Sequence, residues 1–172
     1  MNSDHPVHPA SLSVERLLAD CHLQPVRRSG PGGQHRNKVQ SGIVITHAGS
    51  GVTAEASERR SQADNRRVAV HRLRIHLALA VRSEASEPQP PSDLWKSRVH
   101  GGRIAVNPQH EDFPSLLAEA LDILAGNNWE PRSAAAHLGC SSSQLLKLLR
   151  LEPASLLLVN NNRQALGWHP LK

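Results

Sequence analysis

Arg28-Ser29-Gly30-Pro31-Gly32-Gly33-Gln34-His35-Arg36-Asn37-Lys38 is the stretch on which the reading of this chain turns. Gly30, Pro31, Gly32 and Gly33 place three glycines and a proline in four consecutive positions, which no helix or strand interior accommodates. They specify an exposed loop whose backbone reaches positive φ and lets another molecule approach closely. One neutral amide, Gln34, stands at its tip, flanked by Arg27, Arg28, Arg36 and Lys38. The loop offers bare backbone and an uncharged polar side chain to a partner expected to be anionic.

Outward from the loop, the pattern predicts a small α+β unit. Ser11 to Cys21 reads as a short amphipathic helix with Leu12, Val14, Leu17 and Leu18 on its apolar side and Ser11 or Ser13 at its cap. His22 to Arg28 leads, extended, into the loop. Ser41 to His47 is β-branched like a strand, Val52 to Ala56 alternates like a second, and Ala48-Gly49-Ser50-Gly51 makes the turn between them. Ser61-Gln62-Ala63-Asp64 resembles a capping box, and Val70, Leu73, Leu77 and Val81 make a helical stripe after it. Arg66, Arg67, Arg74 and His71 are expected on the other side of that helix, giving it a basic solvent face. Residues 1–10 are polar and expected to fray.

The second half reads as helices. Ser83 to Ser92 has the composition of a linker, and Ile104-Ala105-Val106 suggests one extra strand. Phe113 to Gly126, Pro131 to Leu138, a helix capped by Ser141 or Ser142, and a fourth opened by Pro153 and closed by Gly167 follow. The expected division is 1–86 for the loop-bearing domain, 87–110 for a linker with a short strand, and 111–172 for a helical module.

Charge narrows the function classes. The formal net charge of the 172 residues is +5, but residues 22–82 hold eleven Lys and Arg against Glu55, Glu58 and Asp64, a local net of +8. Residues 111–172 carry −1. Such asymmetry points the loop-bearing segment at nucleic acid or an anionic surface. Aromatics are scarce, with Trp95, Trp129, Trp168, Phe113 and no tyrosine, which argues against a base-stacking platform. Cys21 and Cys140 lie far apart without a CxxC and are expected as free thiols. The first twenty residues lack the features of a signal peptide and no apolar run approaches membrane-spanning length, so a cytoplasmic monomer away from membranes is expected.

The loop's chemistry is limited. Glutamine has no proton that titrates near neutral pH, so Gln34 cannot act as a general base. Its carbonyl oxygen can hold a water, and a backbone N–H beside glycine can donate to a developing oxyanion, a contact worth about 3–4 kcal/mol of barrier. A Cβ at Gly32 or Gly33 would obstruct the backbone from an attacked ester. This set suits hydrolysis of an activated acyl ester whose other catalytic groups lie elsewhere.

Residues 22–82 closely resemble the GGQ domain of class I peptide-chain release factors and their ribosome-rescue relatives. The likeness runs through the loop, Asn37-Lys38, Ile43-Val44-Ile45-Thr46-His47, and Glu58-Arg59-Arg60-Ser61-Gln62 before the arginine-rich helix. It implies an α+β fold of two to three antiparallel strands packed on a long basic helix, followed here by the helical module. It implies a ribosome-dependent peptidyl-tRNA hydrolase with Gly32, Gly33 and Gln34 as the hydrolytic residues. Arg27, Arg28, His35, Arg36, Asn37, Lys38, Arg59, Arg60, Arg66, Arg67 and Arg74 would bind large-subunit rRNA and peptidyl-tRNA, and no cofactor or metal is implied. The family glutamine is often methylated on its amide nitrogen, which makes Gln34 a candidate for N5-methylation by a glutamine methyltransferase. The chain departs from the family's usual pattern at Arg36, where a small apolar residue is common, so the loop is expected to dock differently there.

The full release factors have a stop-codon-reading domain for which this chain has no room, and its end, Asn160 to Lys172, is not the long basic tail of the short rescue hydrolases. In size and in the helix before the loop it looks closer to mitochondrial release-factor-like rescue proteins that act on split large subunits. The expectation is codon-independent release of nascent chains from stalled ribosomes or split large subunits. Two rivals remain: a non-hydrolytic rRNA- or tRNA-binding module, and a DNA-binding regulator built on Arg132 to Arg150, which reads like a helix-turn-helix. The acidic balance of 111–172 favours packing over DNA binding. A plain structural glycine turn is set aside because the downstream strands and helix match as well. A nucleotide cradle fails because no Gly-Lys-Ser/Thr follows the loop. Cys21-His22 and His137-x-x-Cys140 lack a second ligand pair at zinc spacing and read as dispersed surface residues.

Overall fold

The computed structural model of the chain describes residues 7–27, 41–83 and 90–172. The Gly-rich loop and the expected domain boundary in the linker thus lie outside the described residues.

A single 3-10 turn, Pro9–Ser11, leads into helix α1, Val14–Ala19, whose N-cap is Ser13. Strands β1, Cys21–Val26, β2, Gly42–His47, and β3, Thr53–Ala56, form one antiparallel sheet in the order β1-β2-β3. The β1–β2 register pairs Cys21 with His47 and Val26 with Gly42, so the chain leaves for the loop and returns from it on adjacent strands. Helix α2, Gln62–Ala80, follows, with the Ser61 hydroxyl accepting from the Asp64 N–H. The α+β architecture of strands and a long helix is as the pattern predicts, and β1, read there as an extended lead into the loop, is a third strand of the sheet.

Strand alternation explains the sheet's two faces. Ile43, Ile45, Ala54 and Ala56 are buried against α2, while Thr53 and Glu55 look outward. α2 lies over β2 and β3, leaving Leu23 of β1 partly exposed at the edge. Three side-chain-to-backbone bonds tie the layers: Arg72 Nη1 to Glu55 O at 2.8 Å, His76 Nδ1 to Thr53 O at 2.8 Å, and Arg59 N–H to Asn65 Oδ1 at 2.9 Å.

Past residue 90 come helix α3, Asp93–Arg98, and a minimal hairpin of β4, Val99–His100, and β5, Arg103–Ile104. Helices α4, Phe113–Gly126, α5, Pro131–His137, α6, Ser142–Arg150, and α7, Pro153–Ala165, complete the chain. Prolines open α4, α5 and α7, where a missing N–H costs nothing. Helix α3 was not expected; Ser92 caps it by accepting from the Trp95 N–H, and Trp95 is buried with its indole N–H donating to Leu138 O at 2.8 Å.

α2 is covered twice, by the sheet on one side and by α4 and the 3-10 turn on the other. Buried residues of the strands, α2, α3, α4, α5, α6 and α7 form one continuous apolar cluster. Two expectations are corrected here. Residues 7–10 are not frayed at their inner end: Ala10 is fully buried, and His8 is nearly so, with Nε2 bonded to Val81 O at 3.1 Å. Arg74 is not on the solvent face of α2. It is 9 % exposed and donates from Nε to Ala10 O at 2.8 Å, from Nη1 to Glu111 O at 2.9 Å and from Nη2 to Ser115 Oγ at 3.0 Å. The reason is helical period: Arg74 stands four residues after Val70 and three before Leu77, on the apolar stripe itself.

Candidate functional site

The site is built from the frame that holds the loop. Gly32, Gly33, Gln34, Arg28, His35, Arg36, Asn37 and Lys38 lie outside the described residues. Both ends of the loop are described. On the outgoing side, Val26 ends β1 and Arg27 is exposed directly after it. On the returning side, Ser41 is half-buried and Gly42 begins β2.

Gly42 is required by close approach. A Cβ there would sit 2.9 Å from Val26 Cγ2 and 3.0 Å from both Val26 O and Ser57 Cβ. The two strands and the chain after β3 converge on this point, and only glycine fits between them.

Asn65, in the first turn of α2, is the residue that sequence reasoning missed. It is fully buried. Its Nδ2 donates to Ser41 O at 2.6 Å and to Arg59 O at 2.9 Å, while its Oδ1 accepts from the Arg59 N–H at 2.9 Å. One side-chain amide thus fastens the loop's return segment, the turn before α2 and α2 itself, using three of the hydrogen bonds an amide can make. The signal was available: a short amide four residues after the Ser61 cap, where the helix is otherwise polar, has no reason to be there unless it bonds backbone.

The basic residues divide into three groups. Arg59, Arg60 and Arg66 are exposed around the start of α2, with Arg27 exposed at the end of β1. Arg67 is exposed but pairs with Asp64 one turn before it, and that hydrogen bond is the main cause holding the Asp64 carboxyl below the usual carboxylate range. Arg74, expected among the phosphate contacts, is buried with its donors spent on backbone and Ser115. Burial lowers its pKa while Glu111 and Asp112 act the other way. Arg72, not anticipated as important, is braced by Glu58 at 2.6 Å and serves the sheet.

An open groove runs between α1 and α2, with Val14, Leu18 and Val70 on its apolar side and Arg66, Arg67 and His71 on its basic side. His71 Nε2 is fixed to Pro108 O at 2.9 Å. Among the described residues no group of three His, Cys, Asp or Glu could hold a metal ion. Cys21 and Cys140 are free thiols, and burial pushes both up from the ordinary thiol value. No helix among the described residues is long and apolar enough to cross a membrane.

What the frame can do chemically follows from its shape. Two adjacent strands carry the two ends of the glycine-rich segment beside exposed Arg27, Arg59, Arg60 and Arg66, and no nucleophile–base pair stands there among the described residues.

Comparison with known proteins agrees with the geometry. The RF-1 domain family model matches residues 12–109, from α1 to just beyond β5. Peptide chain release factor 2 of Bordetella pertussis is 39 % identical over 90 residues, which cover 52 % of this chain and 24 % of that protein. Peptide chain release factor 2 of Bordetella bronchiseptica gives the same identity and coverage. The matched part thus spans about a quarter of the length of these relatives. With the family match extending over more than half of its length and containing every element that frames the loop, the chain belongs to the RF-1 domain family.

Proposed function

We propose that this protein hydrolyses the peptidyl-tRNA ester in the ribosomal peptidyl-transferase centre without reading a codon, releasing nascent chains from stalled ribosomes or split large subunits. The observation that carries the reading is the Gly32-Gly33-Gln34 sequence, inside the family match, strung between the paired ends Val26 and Gly42. A water held by the Gln34 side chain attacks the ester carbonyl. A backbone N–H of the glycine loop donates to the oxyanion, the acyl–oxygen bond breaks and the tRNA hydroxyl leaves with the proton. The ribosome supplies the surroundings that exclude competing geometries. Arg27, Arg59, Arg60 and Arg66 meet rRNA or tRNA phosphates, supported by their exposure around the loop's base. Beyond the matched region, helices α4 and α7 pack on α2, and α4 to α7 pack on one another. The amide nitrogen of Gln34 is the position at which a glutamine methyltransferase would act, and the protein works as a monomer in the cytoplasm.

The test is peptide release from stalled ribosomes and from isolated large subunits. Gly33→Ala and Gln34→Ala each lower release by about 10²–10³-fold, the range found for loss of one oxyanion contact, while ribosome binding stays near the parent's. Release at the parent rate in both variants would sink the hydrolase reading and leave a non-hydrolytic RNA-binding module in its place.

A further inference from the structure

The −1 formal charge of residues 111–172 conceals a segregation of sign. The acids are engaged at helix starts or on the α2 side. Glu130 accepts from the Arg132 and Ser133 N–H groups at 2.9 and 2.5 Å, and Glu152 from the Ala154 N–H at 3.2 Å. Asp122 pairs with Arg82, Asp112 with Arg98, and Glu119 holds Ser92. Glu111 lines the groove beside α2. Between these, residues 131–151 contain Arg132, Lys147 and Arg150 and no acidic residue, and residues 99–106 contain Arg103 and none.

The fold brings these two acid-free stretches together. α5 and α6 meet through a tight turn in which Gly139 takes φ +65°, and the Ser141 hydroxyl caps α6. α6 turns Leu145, Leu148 and Leu149 inward and leaves Ser143, Lys147 and Arg150 exposed at i, i+4 and i+7, a single row along one face. The β4–β5 hairpin is braced against α6 by the Ile104 N–H donating to Gln144 Oε1 at 3.3 Å. Arg103, exposed at the hairpin, and Lys147 make no hydrogen bond or ion pair with any described residue; Arg150 donates to Lys172 O. This surface is fixed relative to α2, because Trp95 ties α3 to the α5 end and Arg74 ties α2 to the start of α4.

We propose that the exposed row of α6 and the β4–β5 hairpin form a second nucleic-acid contact that binds the phosphate backbone of double-helical RNA. The complementarity is of charge. Flexible cations beside a serine, on a helix whose Gln144 is engaged by the Ile104 N–H and whose leucines turn mostly inward, suit phosphate oxygens and offer little to base edges. The choice of RNA rests on the ribosomal reading given above, since this surface shares one packed body with the basic start of α2. The two contacts are rigidly spaced, so the pair reads the relative placement of two RNA segments, which a single basic patch does not.

The full-length chain is titrated with a fluorescent 20-base-pair RNA duplex and with a DNA duplex of the same sequence, at several salt concentrations. Arg103→Gln combined with Lys147→Gln, both at exposed positions, leaves the thermal transition in place. It weakens RNA binding by about tenfold and reduces the slope of log affinity against log salt by roughly two, one unit per lost contact. Unchanged affinity and slope overturn the proposal, and tighter binding to DNA than to RNA overturns its assignment to RNA. Peptide release by Gly33→Ala and Gln34→Ala serves as the separate arm: normal release by both would sink the hydrolase reading while the duplex result stood.

Discussion

Asn65 shows how one side chain fastens two chain segments to which it does not belong. It holds Ser41 at the loop's return and both backbone polar groups of Arg59. Asn65→Ala leaves two carbonyls and one N–H in a buried setting without partners, a loss of about 2–4 kcal/mol in unfolding free energy. Under the proposed function, peptide release is expected to fall further than ribosome binding does, because the frame loosens while Arg59, Arg60 and Arg66 remain. A urea midpoint within error of the parent's would refute this role. His8 gives a pH signature at the same scale. Its Nδ1 accepts from the Ala10 N–H at 3.0 Å and its Nε2–H donates to Val81 O, so the neutral ring is the one that fits. Burial pushes its pKa down, with the carbonyl of Val81 and the Asp122 carboxylate opposing and Arg82 assisting. The folded-state value therefore lies below the unfolded one near 6.5, and the unfolded chain takes up the proton first as pH falls. The stability advantage of the parent over His8→Ala is full above pH 7 and shrinks as pH drops from 6.5 towards 5. Chemical denaturation of both at pH 7.5 and pH 5.0 measures it, and an advantage that grows on acidification contradicts the buried neutral ring.

At the scale of elements, α2 explains both what could be read from the sequence and what could not. Strand and helix positions were legible because each carries a local cause: β-branched alternation in Gly42–His47, a serine cap at Ser61, a proline at the start of α4, α5 and α7. The inward turn of Arg74 was not read, since a charged residue on an apolar stripe is assigned to solvent by type, although period places it inside. Its environment comes from Ala10, Glu111 and Ser115, all 37 or more residues distant, and no local pattern announces them. Helix α3 escaped for the opposite reason: six residues after a linker-like stretch give too short a window for periodicity. The loop itself lies outside the described residues. The arginines of α2 should accordingly behave as two classes. Arg66→Gln with Arg67→Gln shifts stability by less than about 0.5 kcal/mol and lowers the salt slope of RNA binding. Arg74→Gln costs about 3 kcal/mol or more, because charge-assisted bonds to buried acceptors are lost together. Thermal melts and salt titrations on the two variants decide it, and a stable Arg74→Gln protein with weakened RNA binding would restore Arg74 to the phosphate-binding set.

For the whole molecule, the continuity of the core matters more than the change in composition along the chain. Leu73 and Leu77 of α2 share one buried cluster with Phe113, Leu116, Leu117 and Leu121 of α4. A fragment ending at residue 87 would expose that side of α2 and strip Arg74 of two of its three acceptors. It is expected to lack a cooperative thermal transition and to bind a hydrophobic dye, as collapsed chains without fixed packing do. A sharp transition in that fragment would show that the sheet and α2 stand alone. The Arg74 bonds also order events in time. A chain emerges from its N-terminus, and long-range contacts wait for their later partner. Ala10 and Arg74 exist early, but their junction stays unfinished until Glu111 and Ser115 have been added. Until residues 111 and 115 are added, Arg74 has Ala10 O alone of its three acceptors, so a truncated copy leaves a guanidinium on the apolar side of α2 with most of its bonds unmade.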